Sequence, residues 1–218
     1  MRTIISVAAS IVLLFSSCLS KAQTEEVVLS EVREGNAVAT FAGGCFWCTE
    51  AVFERVIGVE NVVSGYSGGK EKSPSYRNVS YGMTTHAESI QIYFDADIVS
   101  YDELLEIFFT IAHDPTQVDR QGPDVGKHYR SAIYYHNADQ KASIDKILAK
   151  FKKEEKFAKP IATEIAAFDR FWLAEDYHQD YYELNPGNPY LRVNAVPKVN
   201  KLKKFYPKKV KEEYKNIR

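Results

Sequence analysis

Sulfur is scarce in this chain, which has three cysteines and two methionines among 218 residues. Two of the cysteines, Cys45 and Cys48, form the only Cys-x-x-Cys pair. Because no second pair exists, a zinc site built from four cysteines is disfavoured. The five histidines show no ligand spacing either, so we predict no bound metal.

A surplus of positive charge is also missing, since 28 basic and 29 acidic residues give a formal net charge of −1. Nucleic-acid-binding surfaces normally show a strong basic excess, so we expect no nucleic-acid partner. No internal repeat or low-complexity stretch is present. With 45% apolar residues, a chain of this length can build one sizeable core, which predicts a single catalytic domain.

Long apolar runs are limited to one, residues 4–15, which follows the basic start Met1-Arg2 and is too short to span a membrane. This arrangement is typical of a secretory signal. Two processing outcomes stay open: cleavage after Ser20-Lys21-Ala22, or lipidation of Cys18, whose preceding residues resemble a loose bacterial lipobox.

These features divide the chain into four segments. Residues 1–22 are predicted to be a signal peptide, which in the lipoprotein alternative ends before Cys18, and residues 23–36 a polar linker. The catalytic domain is predicted at 37–195, and a lysine-rich tail at 196–218. We expect an exported protein, either periplasmic or anchored to a membrane through a lipid on Cys18. In an oxidising compartment Cys45 and Cys48 would rest as a disulfide unless a dedicated donor reduced them, which implies a redox partner.

The cysteine pair lies between a short apolar segment at 37–42, predicted as a strand, and helix-like spacing at 51–56. Cys45 is therefore expected at the first turn of a helix, where unpaired backbone N–H groups and the helix dipole stabilise a thiolate. We expect its pKa to lie below the free value of about 8.5. Buried core cysteines are the structural alternative.

A carboxyl group stands at one end of the alternating segment 88–94. Glu88 shares the parity of Ile90, Ile92 and Phe94, which predicts that it faces the apolar side of a strand. Burial would raise its pKa toward the range of a useful acid. The alternative is that Glu88 frays into solvent at the strand end.

The remaining elements follow from local signals. A capping box of Ser100 and Glu103 predicts a helix that ends before Pro115, and a second amphipathic helix is predicted from Asn137. Strands are predicted at 59–65, 129–135 and 161–168, with a glycine-rich loop at 65–70 and further loops at 73–81, 114–128 and 174–190.

Five motifs, in one order, resemble the class A peptide methionine sulfoxide reductases over residues 37–190. They are Gly44-Cys45-Phe46-Trp47, Gly65-Tyr66-Ser67-Gly68-Gly69, His86-Ala87-Glu88, the run from Gln121-Gly122 through Asp124-Val125-Gly126 to Tyr129-Arg130-Ser131, and Ala174-Glu175-Asp176-Tyr177-His178-Gln179. The resemblance implies an α/β (α+β) fold, a two-layer sandwich with a central mixed sheet flanked by helices. It also implies reduction of the S epimer of methionine sulfoxide, free or in oxidised proteins.

The resemblance further implies roles for named residues. Cys45 is the nucleophile and Glu88 the acid that protonates the sulfoxide oxygen. The other site residues are two hydroxyl donors, Tyr66 and Tyr129, a supporting Asp124, and the methyl-group pocket of Phe46 and Trp47. His178 stands near Glu175 and Asp176 in the sequence, and we expect it either at the floor of the substrate site or as a structural histidine.

Many members of that family resolve the resulting sulfenic acid with cysteines near the C-terminus, whereas residues 49–218 contain none. Cys48 is therefore the predicted resolving residue. No bound cofactor is expected, and reducing equivalents would come from thioredoxin or a thioredoxin-like protein, or from dithiothreitol in vitro. We expect a monomer. A thioredoxin-like disulfide oxidoreductase is the alternative enzyme, although its tryptophan would lie outside the pair, and an exported binding module with a structural disulfide is the non-enzyme alternative.

Overall fold

The computed structural model describes residues 37–215. The predicted signal peptide, the linker and Cys18 lie outside the described residues. Within 37–215, no helix combines the length and the apolar character needed to cross a membrane.

A six-stranded sheet forms the centre of the described part, in the spatial order β7-β6-β1-β3-β2-β8. Neighbouring strands are antiparallel, except that β6 and β7 are parallel, so the sheet is mixed. Its strands are β1 (Ala37–Gly43), β2 (Val59–Ser67), β3 (Ala87–Phe94), β6 (Ser131–Tyr135), β7 (Glu164–Ala167) and β8 (Phe171–Leu173), while β4 (Arg120–Gln121) and β5 (Asp124–Val125) form a separate small hairpin.

The helices that matter for the core are α1 (Phe46–Phe53), α3 (Tyr101–Ile107), α4 (Ala138–Lys153) and α7 (Val196–Phe205). They contribute to one large apolar cluster with the sheet, whereas a second cluster built mainly from alanines, such as Ala42 and Ala132, involves other sheet residues. Shorter helices are α2 (Tyr76–Ser80), α5 (Tyr181–Leu184), α6 (Pro189–Asn194) and α8 (Glu212–Lys215).

The helix starts are confirmed. The Ser100 side chain accepts from the Glu103 N–H, and the Glu103 carboxylate accepts from the Ser100 N–H, which completes the predicted capping box. The Asn137 side chain caps α4 by accepting from the Gln140 N–H. The helix that begins at Tyr101 continues as a π-helical segment, Phe108–Ala112, and ends before Pro115 as predicted.

The predicted glycine-rich loop at 65–70 is wrong in its first half, because β2 continues to Ser67. A Cβ atom on Gly65 would lie 2.4 Å from the Trp172 carbonyl oxygen and 2.3 Å from the Phe171 ring, so the glycine permits the close approach of β8. Tyr66 therefore lies in the sheet, paired in register with Glu88 of β3.

Four other predicted segments also differ from the structure. The loop predicted at 114–128 contains the hairpin of β4 and β5. The loop at 73–81 contains α2, which Ser75 caps, and the loop at 174–190 contains a 3₁₀ turn, α5 and the start of α6. Tyr129 belongs to a 3₁₀ turn, Lys127–Tyr129, rather than to the following strand.

The lysine-rich segment after residue 195 is not a separate tail. Val199, Leu202 and Val210 are buried, and Leu202 and Val210 belong to the main core cluster. Its lysines lie mostly on the exposed or half-exposed side of α7, as an amphipathic helix requires. The boundary predicted at 195 therefore cuts through the packed core.

Candidate active site

Cys45 is the N-cap residue of α1, which follows β1 after a two-residue turn. Gly44 in that turn has a φ of 87°, and a Cβ atom there would lie 2.5 Å from the Gln121 side chain, so glycine is required on both counts. The Cys45 carbonyl accepts the N–H groups of Cys48 and Thr49, at 3.1 and 3.3 Å. Both thiols therefore lie in the first turn of the helix, as the sequence predicts.

Glu88 reaches this turn from β3. Its Oε2 accepts the Phe46 N–H at 3.1 Å, so one of the unpaired N–H groups of the helix start is satisfied by the acid itself. Glu88 is only 2% exposed. Burial raises its pKa well above the ordinary value, and the neighbouring Cys45 raises it further. The predicted upward shift is confirmed, and the alternative of a solvent-frayed Glu88 is wrong.

The expectation of a lowered pKa for Cys45 is wrong for the substrate-free protein. Burial raises the pKa of the Cys45 thiol, and the hydrogen bond it shares with Cys48 raises it further. The pKa of Cys48 is lowered, chiefly by that same hydrogen bond. The helix start does offer N–H groups, but desolvation in a site where Cys45 is 6% exposed outweighs them.

The two predicted hydroxyl donors differ in their surroundings. Tyr66 is fully buried, and its hydroxyl donates to Glu175 Oε2 at 2.8 Å. A phenol has one proton, so Tyr66 must leave Glu175 before it can donate to a substrate. Tyr129 is half-buried and packs against the cluster that contains Cys45 and Cys48. Its pKa is raised by burial and then by Glu88 and Cys45.

The aromatic cluster around Cys45 consists of Phe46, Trp47, Tyr76 and His178. The Trp47 indole N–H donates to His178 Nδ1 at 3.0 Å, and burial lowers the pKa of His178 to about 4. The imidazole is thus neutral, with its proton on Nε2, which is buried and has no hydrogen-bond partner within residues 37–215. His178 therefore contacts both predicted pocket residues.

Asp124 lies close enough to Glu88 and Tyr129 for its charge to raise the pKa of both groups. Its Oδ2 accepts the Tyr190 hydroxyl at 2.5 Å. No hydrogen bond within the described residues joins Asp124 to Tyr66 or Tyr129. The Tyr190 hydroxyl in turn interacts with both thiols and offsets part of the effect of burial on their pKa.

Three site residues escaped the sequence reasoning: Tyr76, Glu175 and Tyr190. Tyr76 packs on Phe46 and His178, and its pKa is raised to about 12, first by burial and then by Glu88. Glu175 accepts both the Tyr66 hydroxyl and the Tyr76 N–H, at 2.8 and 2.9 Å. Of the three, only Glu175 could have been found from the sequence, because it is an acid inside the motif at 174–179.

The arrangement brings a thiol, a neutral carboxyl group and a phenol together in a largely buried site. Such a set can attack an electrophilic centre while it protonates the group that leaves. Among the described residues, no group of three or more histidines, cysteines or acids could hold a metal ion.

Comparisons with known proteins all identify the same family. A family model described as "Peptide methionine sulfoxide reductase" matches residues 37–211. The peptide methionine sulfoxide reductase MsrA 2 of Synechocystis is 44% identical over 209 residues, which cover 96% of this chain and 98% of the relative. The MsrA of Saccharolobus solfataricus is 51% identical over 174 residues, 80% of this chain and 97% of the relative.

Two solved structures are similar over most of the described part. Mxr1 of Saccharomyces cerevisiae in reduced form has a TM-score of 0.65 at 34% identity and covers 72% of this chain and 90% of its own. Methionine sulfoxide reductase A of Corynebacterium diphtheriae has a TM-score of 0.64 at 32% identity, with 72% and 78% covered. The predicted α/β class, with a mixed sheet flanked by helices, is confirmed.

Proposed function

The chain belongs to the peptide methionine sulfoxide reductase family and reduces methionine sulfoxide in a thiol-dependent reaction, and we propose that Cys45 is its nucleophile and Glu88 its acid. The observation that carries this assignment is the hydrogen bond from Phe46 N–H to Glu88 Oε2. It fixes the carboxyl group against the residue next to Cys45, so one reacting group can meet the sulfoxide sulfur while the other meets its oxygen. Family membership removes the thioredoxin-like oxidoreductase and the binding module from consideration.

In the proposed first step, Cys45 sulfur attacks the electrophilic sulfur of the sulfoxide, and Glu88 gives its proton to the basic oxygen. The oxygen then moves from the substrate sulfur to Cys45 sulfur as the bond between the two sulfurs breaks, so methionine leaves with the electron pair and Cys45 becomes a sulfenic acid. Tyr129 supports the oxygen as a hydrogen-bond donor. Tyr66 can donate a second hydrogen bond to the oxygen only if its hydroxyl turns from Glu175 to the substrate.

We assign the methyl group of the substrate to the side of Phe46 and Trp47. When the oxygen points to Glu88 and the methyl group to these rings, only one configuration at the sulfoxide sulfur leaves that sulfur open to attack by Cys45. We propose that this configuration is the S epimer, both free and in oxidised proteins. His178 accepts a hydrogen bond from the Trp47 indole and so positions the indole ring; it does not contact the reacting atoms.

Cys48 is the proposed resolving residue. Its thiol attacks the Cys45 sulfenic acid, a Cys45–Cys48 disulfide forms, and water leaves. Cys45 and Cys48 are the two free cysteines of residues 37–215 and hydrogen-bond to each other, so no other thiol there competes. A dithiol donor of the thioredoxin type, or dithiothreitol in vitro, then restores both thiols.

Substitution of each cysteine tests these roles. Cys45→Ser should form no methionine even in a single turnover. Cys48→Ser should release about one methionine per enzyme and then stop with a thioredoxin-type donor, because the sulfenic acid has no partner. Methionine is measured by chromatography after incubation with each sulfoxide epimer. Methionine from Cys45→Ser, or full cycling by Cys48→Ser, would remove the corresponding residue from its role.

We also propose that the protein is exported, on the basis of the apolar run at 4–15 and the polar segment that follows it. Mass measurement of the mature native protein decides between cleavage after Ala22 and a lipid on Cys18. A mature chain that still begins at Met1 would contradict export by this route.

A further inference from the structure

Cys48 lines a cleft that is separate from the aromatic cluster around Cys45. The cleft has a volume of about 290 Å³. Its lining includes Cys48, Gln121, Asn194 and Lys198, but none of Cys45, Phe46, Trp47, Glu88 or Tyr129. Both cysteines are buried, at 6% exposure for Cys45 and 1% for Cys48, but they border different spaces: Cys45 lies among the proposed substrate-binding residues, and Cys48 lies in the wall of this cleft.

Positive charge in this cleft is available to an incoming group. Lys198, on α7, is half-buried, and Lys201 is exposed. Lys198 forms none of the ion pairs found within residues 37–215. The cleft also contains two acids: Asp124, which accepts from Tyr190, and Asp114, which accepts from its own loop. The attraction for an incoming anion therefore depends on the position of Lys198 near Cys48, where its effect on the thiol exceeds that of Asp124, and not on a net positive charge of the cleft.

The histidine of the cleft does not compete with Lys198 for this role. His113 Nδ1 bonds the Phe108 carbonyl oxygen, its Nε2 bonds Ser131 Oγ, and burial lowers its pKa to about 3. The His113 imidazole is therefore neutral, and each of its ring nitrogens already has a hydrogen-bond partner. Lys198, in contrast, acts on Cys48 directly: after the hydrogen bond from Cys45, its charge is the strongest influence that lowers the pKa of that thiol.

We propose that the reducing thiolate reaches the oxidised enzyme through this cleft and attacks Cys48, with Lys198 as the positioning residue. The inference rests on the proposed Cys45–Cys48 disulfide. Thiol–disulfide exchange requires a thiolate, and the rate depends on which sulfur is attacked and on access to it. Lys198 in the lining of the cleft attracts that thiolate, whereas the surroundings of Cys45 offer a neutral acid and aromatic rings.

The exchange balances in two steps. The donor thiolate bonds to Cys48 Sγ, the Cys45–Cys48 bond breaks, and Cys45 leaves as a thiolate that takes up a proton. The second thiol of the donor, once deprotonated, attacks the donor sulfur of the mixed disulfide, so Cys48 leaves as a thiolate beside Lys198. The donor is oxidised to a disulfide, and the enzyme disulfide is reduced by the same two electrons.

Lys198→Gln tests the proposal through the two half-reactions of the enzyme. Methionine release in the first turnover without donor does not use the cleft and serves as the internal reference. The second-order rate of disulfide reduction should fall roughly fivefold, with both dithiothreitol and a thioredoxin-type protein, and its dependence on ionic strength should weaken. Lys198→Arg should recover most of the rate. Lys204→Gln, an exposed lysine on the same helix, is the matched control and should change neither half-reaction.

An unchanged reduction rate in Lys198→Gln, or a loss with the protein donor alone, would overturn the proposal, because the cleft would then not serve the thiolate itself. A direct mapping is independent of variant folding. A thioredoxin-type donor that lacks its second cysteine should remain linked to Cys48 of the wild-type enzyme, as peptide mass spectrometry shows, and a link to Cys45 would contradict the route. If the oxidised enzyme contains no Cys45–Cys48 disulfide after one turnover, the proposed resolving role fails first, and the two failures are distinguished.

Discussion

Replacement of Glu88 by glutamine separates the proton of this residue from its structural role. The amide oxygen of glutamine can accept the Phe46 N–H as Glu88 Oε2 does at 3.1 Å, so the start of α1 stays anchored. The variant has nearly the same volume and stays uncharged in a site where Glu88 is itself kept protonated by burial. What is lost is an acidic proton within reach of the sulfoxide oxygen.

The size of the loss follows from general acid catalysis, which contributes about 10²- to 10⁴-fold, or about 2.7–5.4 kcal/mol of the barrier. We expect the lower half of that range, because Tyr129 still offers a hydroxyl to the developing charge. Glu88→Ala should lose more, since it also leaves the Phe46 N–H without its acceptor.

The assay is a single turnover with excess enzyme and no donor, in which methionine is quantified after rapid quenching over a range of pH. In the wild type the rate should rise as the attacking thiol ionises and fall as Glu88 loses its proton. The glutamine variant should keep only the rising limb. Glu54→Gln is the matched control, because Glu54 is a half-buried carboxyl group at the other end of the same helix and none of its interacting groups is a thiol. A glutamine variant with the wild-type rate and the wild-type falling limb would refute Glu88 as the acid.

Two further predictions concern the surroundings of the same helix. Tyr190→Phe removes the hydroxyl that joins Asp124 to the thiols, so the pKa of Cys48 should rise by up to about one unit, as followed by thiolate ultraviolet absorbance, and an unchanged titration would contradict the contact. Burial, then Asp180, raises the pKa of Glu54 to about 8, so its stabilising contribution is complete below the ordinary value of 4.5 and is lost as the pH rises toward 8. In urea unfolding at neutral pH, Glu54→Gln should therefore have a higher free energy of unfolding than the wild type, by on the order of 1–3 kcal/mol, and near pH 4 the two should be equal. Equal stability at neutral pH would show that Glu54 is ionised in the folded protein.

Features with a local signal could be predicted from the sequence. The capping box at Ser100, the cap at Asn137 and the strand parity of Glu88 each depend on neighbours a few residues away, and the structure confirms all three. The turn that presents Cys45 was likewise visible, because a short apolar strand, two glycines and a helix follow one another directly.

Features that depend on distant residues could not be predicted in the same way. Tyr66 lies in a strand only because β8 packs across Gly65, and residues 171–173 give no sign of that pairing. Tyr190 is one of 14 tyrosines, and nothing near it in the sequence indicates the thiols 142 and 145 positions away. The prediction of a lowered pKa for Cys45 is wrong for the same reason. The helix start can be predicted from neighbouring residues, whereas the burial that raises the pKa is created by the whole fold.

Burial has opposite consequences for the proposed acid, Glu88, and the proposed nucleophile, Cys45. Desolvation keeps Glu88 protonated, which the acid role requires, but the same desolvation keeps Cys45 protonated, which the nucleophile role does not. In the substrate-free site, burial therefore favours the working form of the proposed acid but not that of the proposed nucleophile. The missing influence must come with the substrate, because a sulfoxide sulfur carries partial positive charge and would favour the thiolate of Cys45 when it docks beside it. Cys45 is then a poor nucleophile until a sulfoxide arrives, so burial that keeps the acid in its working form also protects the resting thiol from other electrophiles.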